Sequence, residues 1–503
     1  MYKLVLILRY LRKRRIAWVS LAAVTLCTTM VLVVISVMGG WLRMFRASFH
    51  RLGGDVVISS RSLAGFSHYE QMLQRIRALP EVKAAAPVIR TFGLVNISNQ
   101  IRKGVEVVGY PPDIGQVNGF MESLYRTDRT KPLTFDLWPD EPYIAPPGYR
   151  GTRDVRTWKG MIVGTGVIGL RKDKSGQINR PHYMYSAFVD LTVLPVAPDS
   201  SAVNPVADRA REFFWIIDDS RTRVHIYDAN TVYVAFDVLQ SLLLMDGQDG
   251  RPRRTSDIQI ALKPGVDPAR ARDRIQQTVD AVAFESGMLS RAAYEKYREG
   301  LERARRRLQN KDALSAKEYE SARAELAFYE QQLDGFFPYR VQTWEQVHAA
   351  FIGAVEREKG LLTILFGLIS IVAVFLIFCI FYMIVVEKTR DIGIIKSVGA
   401  SSQGVAAIFL GYGAAIGIIG VLMGLGLAFL IVHNINELHD WLGRFGVVVW
   451  NPETYLFDTI PNELIPRETL WIMVVGVVAS VAGALVPAIR AAMLHPVEAL
   501  RWE

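Results

Sequence analysis

Four long stretches of this chain contain no Asp, Glu, Lys or Arg: Ile16–Leu42, Leu361–Val386, Val405–Val432 and Leu470–Val486. The first three exceed the roughly 20 apolar residues a helix needs to cross a bilayer. The fourth reaches the spanning range of about 17–25 residues once Thr469 and Ala488 are added. A soluble helix keeps a polar face, so this pattern predicts four spanning helices, at 16–42, 361–386, 405–432 and 469–489. Basic residues precede the first run as in a signal peptide. Its length is about twice a 7–15-residue h-region and no small-x-small cleavage site closes it, so a retained anchor is expected.

Between the first two runs, residues 43–358 show the mixed patterning of a globular domain. Trp41–His50 continues the first span outward. Strands are predicted at Asp55–Ser59, Val88–Ile97, Val105–Gly109, Met161–Val163, Ala187–Val193, Phe213–Ile217, Thr231–Ala235 and Ile258–Leu262. Met72, Leu73, Ile76 and Leu79 mark one face of a helix over His68–Leu79, which Pro80 ends. Asp267 and Pro268 read as cap and first residue of a helix reaching Glu285. The opening β-α-β-β order predicts a small α+β layer rather than a wound parallel sheet. Residues 111–160, rich in Pro, Gly, Asp and Trp, read as loops or an insertion.

From Leu289 to Leu333 the composition shifts to Arg, Lys, Glu, Gln, Ala and Leu. Leu289, Ala293, Tyr297, Leu301, Ala304 and Leu308 step by three or four. Ser315-Ala316-Lys317-Glu318 forms a capping-box pattern before a second helix carrying Leu326 and Leu333, which Gly335 can close. Residues 286–335 therefore predict a helical hairpin about 30 Å long at 1.5 Å per residue. It is either a solvated decoration or an arm toward a partner. The fold class is an α-helical membrane protein with four transmembrane helices and a large α+β extracytoplasmic domain between spans 1 and 2, which carries this hairpin insertion.

The formal charge of +9 does not signal nucleic acid, because the basic excess flanks the spans: Lys3, Arg9, Arg12, Lys13, Arg14, Arg15, Lys388, Arg390, Lys396, Arg490 and Arg501. That is the positive-inside pattern. It puts residues 1–15, 387–404 and 490–503 in the cytoplasm and 43–358 and 433–468 outside. Four crossings place both termini on one side, which agrees. Cys27 and Cys379 both lie in apolar runs, so the external domain has no disulfide, and no zinc-type Cys/His spacing exists.

Catalytic signals are weak. Gly164-Thr165-Gly166-Val167-Ile168-Gly169, with Asp190 downstream, matches G-x-G-x-x-G, but Arg-Lys-Asp-Lys-Ser-Gly after Leu170 makes a poor helix. A strand-to-helix turn is the expectation there. No Walker A sequence exists, and the acidic residues and histidines lack nucleophile or metal-ligand spacing. Adjacent Asp218 and Asp219 would point to opposite faces of a strand and read better as turn residues. No enzyme active site, cofactor site or metal site is expected in this chain.

Two other features stand out. In the third run, Gly413/Gly417 and Gly420/Gly424 give small-xxx-small spacing, which lets another helix backbone approach, within the chain or from a second subunit. Between runs two and three lies Glu387-Lys388-Thr389-Arg390-Asp391-Ile392-Gly393-Ile394-Ile395-Lys396-Ser397-Val398-Gly399-Ala400-Ser401. Charge in that loop follows from topology alone; the apolar side made by Ile392, Ile394, Ile395 and Val398 does not. A short amphipathic helix at the membrane surface can be gripped by a soluble protein.

This segment resembles the signature that follows the second span of FtsX-like ABC transporter permeases, and within them the lipoprotein-releasing permeases. Leu8-Arg9-Tyr10-Leu11, Thr343-Trp344-Glu345, Glu356-Arg357-Glu358-Lys359, Pro487-Ala488-Ile489-Arg490-Ala491-Ala492 and the ending from His495 to Glu503 are similar to the same family. The strong match covers about 340–503; 111–160 and 286–335 depart from the pattern. The resemblance implies a dimeric permease, homo- or heterodimeric, in the bacterial inner membrane, seated on two cytoplasmic ABC ATPase subunits that bind the ATP. It implies a coupling helix built from Glu387, Lys388, Arg390, Asp391, Ile392, Gly393, Ile395, Lys396, Gly399, Ala400 and Ser401. It also implies a bipartite periplasmic domain that moves with the ATP cycle, with lipoprotein cargo and a periplasmic carrier as partners beside membrane lipids. The alternative within the same resemblance is a signalling or mechanotransmission permease that controls a cell-wall or efflux partner without moving cargo.

Overall fold

The computed structural model describes residues 15–144, 154–170, 178–195, 210–248, 250–309, 316–447, 449–451, 457 and 459–495. The basic N-terminus with Leu8–Leu11, Ser315 of the expected capping box and the ending from Pro496 lie outside them. The chain forms two compact units: 1–45, 350–455 and 459–503 in one, 46–349 with 456–458 in the other. Among the described residues, four helices are long and apolar enough to span a membrane.

The second unit is built on nine main strands: β1 Val56–Ser60, β2 Val82–Ile97, β3 Ile101–Tyr110, β4 Lys159–Gly164, β5 Phe188–Val193, β6 Ala210–Ser220, β7 Thr231–Ala235, β8 Asp257–Leu262 and β9 Tyr339–Thr343. Their order is β9-β1-β8-β2-β3-β7-β4-β6-β5, and β5 also pairs with β2. β2 is long enough to serve two lobes. Its first half, Val82–Val88, pairs with β8, and its second half pairs with β3 and β5. The antiparallel layer β9-β1-β8-β2 is the small α+β unit expected from the sequence. The six strands from β2 round to β5 close on themselves, and this closed barrel was not anticipated.

Each lobe has its own core. On the open layer, α2 (Tyr69–Arg77) buries Tyr69, Met72, Leu73 and Ile76, the i, i+3, i+4, i+7 positions of one face. Here α3 (Pro268–Glu285) buries Ala271, Ile275, Val279, Val282 and Ala283. Its cap is Asp267, which accepts from the Ala269 amide at 3.0 Å. In the barrel, alternate residues divide between two cores: Val107, Met161, Val163, Ile216, Val232 and Val234 on one side, Val108, Ile162, Ile217 and Tyr233 on the other. The β2–β3 hairpin turns through Ser98 and Asn99, both at positive φ, with Gln100 N–H donating to Ile97 O. That is the mirror-image turn that suits the strand twist.

Two expectations change here. The 111–138 part of the loop-rich stretch is a packed cover: Ile114, Val117, Phe120, Leu124, Leu133 and Phe135 share the outer core with Tyr110 and Tyr233. Its sequence lacks periodicity because short 3-10 turns, not strands or long helices, present those side chains. Asp218 and Asp219 are not turn residues. Both are fully buried in β6, Asp218 accepting from the amides of Arg126 and Thr127 and the Thr127 hydroxyl, Asp219 from Arg180 and the Tyr185 hydroxyl. Burial pushes the Asp218 carboxyl up despite those donors. At 164–169 the strand β4 ends in a turn, and residues 171–177, where a following helix would lie, are outside the described residues. Gly164 and Gly166 are there because the Asp228 carbonyl and the Ala229 backbone lie where their Cβ atoms would be, at 2.3 and 2.9 Å.

The insertion forms α4 (Arg291–Gln309) and α5 (Ala316–Asp334). They pack on small residues: Ala304 and Ala322 are buried, and the Tyr329 ring lies against Gly300. Arg305–Glu330 and Arg307–Glu325 pair across the hairpin. Phe284, Tyr294, Phe336 and Phe337 cluster at its root.

The membrane unit contains α1 (Arg15–Gly53), α6 (Ala349–Glu387), α7 (Thr389–Ser397), α8 (Ser402–His433), α9 (Ile435–Gly443) and α10 (Pro466–Met493), α1 running on past residue 45 into the other unit. The apolar runs mark only the middles of the spanning helices, because the charged ends continue the same helical hydrogen bonding. Helix α9, inside the expected 433–468 loop, was not foreseen.

Candidate functional site

The segment after the second span folds as a short helix with two different faces. Thr389, Ile392 and Gly393 of α7 are buried. Ile392 packs with Val385 of α6, Val405 of α8 and Ala491 of α10. Thr389 Oγ1 donates to the carbonyls of Val385 and Val386, which fastens the turn out of α6. Lys388 pairs with Asp391. The helix ends at Gly399, whose φ of 104° suits a residue without a Cβ. The Gly399 and Ala400 amides return to Lys396 O and Ile395 O, a C-terminal cap. Ser401 then caps α8 by accepting from the Gly404 amide at 3.1 Å.

The other face is open. Ile394 is 47% exposed and Val398 84%, four residues apart and therefore on one side of the helix. Arg390 lies on the same exposed stripe, and Glu387 precedes it at the exposed end of α6. The four isoleucine and valine residues read from sequence as one apolar side thus divide: Ile392 is an anchor, whereas Ile394 and Val398 face outward. Ile395 is half-buried between them. Lys396 is turned inward: its Nζ donates to the carbonyls of Ala492 at 2.6 Å and Leu494 at 2.8 Å. A cation there satisfies carbonyl groups that the end of α10 leaves unpaired. Beside it, Lys396, Ala400, Gln403, Met493 and His495 line a groove of about 590 Å³.

The glycines of α8 are placed inside the chain. A Cβ on Gly413 would meet Ala484 at 2.6 Å, and one on Gly417 would meet Ser480 at 2.8 Å, both on α10. On Gly420 and Gly424 it would meet Val24 at 2.8 Å and Thr28 at 2.9 Å, both on α1. Thr25 and Thr29 of α1 donate to the carbonyls of Gly420 and Gly424 at 3.3 and 3.1 Å. Small-xxx-small spacing therefore packs α8 between α10 and α1.

Toward the other end of this unit is an apolar cavity of about 710 Å³ between α1, α6 and α9. Val37, Trp41, Val355, Ile431 and Leu438 are among its walls, with Glu358 and His439 as its ionisable members. No local pattern marks it, because its walls come from four separated segments.

Residues 363–496 match the family model described as FtsX-like permease C-terminal, and residues 17–131 match the MacB-like periplasmic core domain. Each match covers about a quarter of the chain: the first takes in most of α6 with α7, α8, α9 and α10, the second most of α1 and the start of the mixed α/β domain. Among individual proteins, the chain is similar to the lipoprotein-releasing system transmembrane protein LolC of Xylella fastidiosa, 30% identical over 33% of this chain and 40% of that protein. LolC of Neisseria meningitidis is 32% identical over 32% and 40%. LolE of Haemophilus influenzae is 28% identical over 32% and 39%. The chain thus matches only about two fifths of the length of these relatives.

Proposed function

We propose that this chain is the membrane subunit of a transporter in which a cytoplasmic ATPase drives motion of the external domain, releasing lipid-anchored proteins from the inner membrane. The observation that carries the coupling role is the division of α7 into a face locked to three spans through Ile392 and an open stripe of Arg390, Ile394 and Val398. Force applied to that stripe passes directly into α6, α8 and α10. In this reading the N-terminus, α7 and the C-terminus are cytoplasmic, a second permease subunit (the same chain or a LolC/LolE-like counterpart) completes the membrane core, and the ATPase binds the ATP.

Release of an amphiphile, rather than passage of a polar solute, is supported by the apolar cavity of about 710 Å³. That size lies within the roughly 300–1,000 Å³ of ligand-holding pockets, and buried methylenes contribute about 0.8 kcal/mol each. The test is reconstitution with the cognate ATPase and a triacylated lipoprotein in nanodiscs. ATP should release the lipidated protein and leave an unlipidated version unaffected. Val37→Trp, which fills the cavity, should abolish release while ATP hydrolysis continues. Undiminished release from the filled variant would overturn the assignment of the cavity. Absence of release combined with loss of periplasmic hydrolase control on deleting 291–334 would favour the signalling alternative.

A further inference from the structure

The external unit holds a second cavity, of about 490 Å³, whose character is the opposite of the first. Its walls include Arg51, Arg129, Arg221 and Arg223, with Glu122 as the one carboxylate among the lining residues. Four guanidinium groups around one hollow give it a positive potential, and guanidinium is the side chain that binds oxyanions through paired N–H donors. Arg51 and Glu122 approach only to 3.4 Å, with both side chains well exposed. A pair that loose leaves most of the guanidinium's donors available.

The walls are rigidly built. The Arg51 side chain lies flat across Gly119, where a Cβ would meet its Cγ at 2.4 Å. The Gly119 amide donates to Arg51 O at 2.8 Å, and Asn118 Nδ2 donates to Leu52 O. Opposite, Arg223 holds a left-handed φ of 66°, a conformation that costs free energy for a residue with a side chain. It is kept there by the buried Asp228 carboxylate, which accepts from the Thr222 amide at 2.7 Å and the Arg223 amide at 3.1 Å. The Arg221 amide donates to Ser123 O at 2.8 Å, which ties the loop to the floor. The turn that carries Arg221 and Arg223 is thus fixed on both sides of the hollow.

We propose that this cavity binds a phosphate-type oxyanion, with Arg51, Arg129, Arg221 and Arg223 as ligands. The anion has two sources, a phospholipid headgroup or a soluble phosphate ester, and the shared chemistry is recognition of a tetrahedral anion by forked donors. The test is calorimetric titration of the full chain in neutral detergent with glycerol 3-phosphate and, separately, with short-chain phosphatidylglycerol. Saturable binding of either supports the site: glycerol 3-phosphate assigns a soluble ester, and binding of the lipid alone assigns a headgroup. Arg129→Ala with Arg223→Ala should weaken it more than about tenfold, and Gly119→Ala, which dislodges Arg51, several-fold. Arg102→Ala, an exposed arginine on β3, should change nothing. Arg223→Lys should recover only part of the affinity, because a point charge lacks the fork. Failure of both ligands to bind, or equal affinity in the double variant and Arg102→Ala with unchanged melting, would overturn the proposal.

Discussion

The membrane unit and the external unit of this chain are held together by different means. In the external unit, long β-branched and aromatic side chains fill a closed barrel and a helix-covered layer, and removal of apolar surface from water supplies the driving force. Lipid offers no such drive, so α8 meets its neighbours through glycines and through threonine hydroxyls bonded to backbone carbonyls, the means left to helices in a bilayer. One consequence is that charge sits inside the external unit and is absent from the middles of the spans. The other is that the two units should fail differently when a single group is changed.

The largest loss is expected in the external unit. Asp219→Ala strands Arg180, largely buried beside it, and should cost about 3–5 kcal/mol, as removal of one partner of a buried pair does; chemical denaturation monitored by tryptophan fluorescence checks it. An effect below about 1 kcal/mol would mean that the barrel tolerates an unpaired charge. Next comes Gly417→Val, where added methyl groups meet Ser480 of α10. Overpacking of this kind typically costs about 1–3 kcal/mol, and a lowered melting temperature in detergent should appear while Gly426→Ala, whose Cβ meets nothing within 4 Å, melts like the parent. Equal melting of the two would break the comparison. The smallest change expected is in pH dependence. Burial raises the Asp280 carboxyl, which accepts from Gln276 and Tyr339. The folded state then holds its proton to higher pH than the unfolded chain does, so this group's contribution declines as pH rises from about 3.9 through the raised value. Asp280→Asn should remove that decline in melts recorded over the acidic range.

Much of this was legible in the chain itself, for reasons that differ by region. The spans are explicit because a bilayer demands long uncharged runs. The strands and α3 follow from local alternation and from the Asp267–Pro268 start. Barrel closure was not legible, since it depends on β5 pairing with a strand nearly a hundred residues earlier. The buried role of Asp218 and Asp219 was hidden for the same reason: their partners Arg126, Thr127, Arg180 and Tyr185 come from elsewhere in the sequence. At α7 the sequence marked the segment but not the division of its faces, so Lys396 looked like a docking charge when its bonds run to α10.

That division yields the most direct test of the coupling account. Ile394→Asp with Val398→Asp alters only the open face, whereas Ile392→Asp disturbs the anchor. The measurement is ATP hydrolysis and co-purification of the cognate ATPase with the reconstituted permease. The open-face variant should keep the parent's melting temperature, lose the ATPase on purification and lose at least about tenfold of the hydrolysis that depends on this chain, about 1.4 kcal/mol of coupling. Full ATPase retention and unchanged hydrolysis in that variant would contradict it.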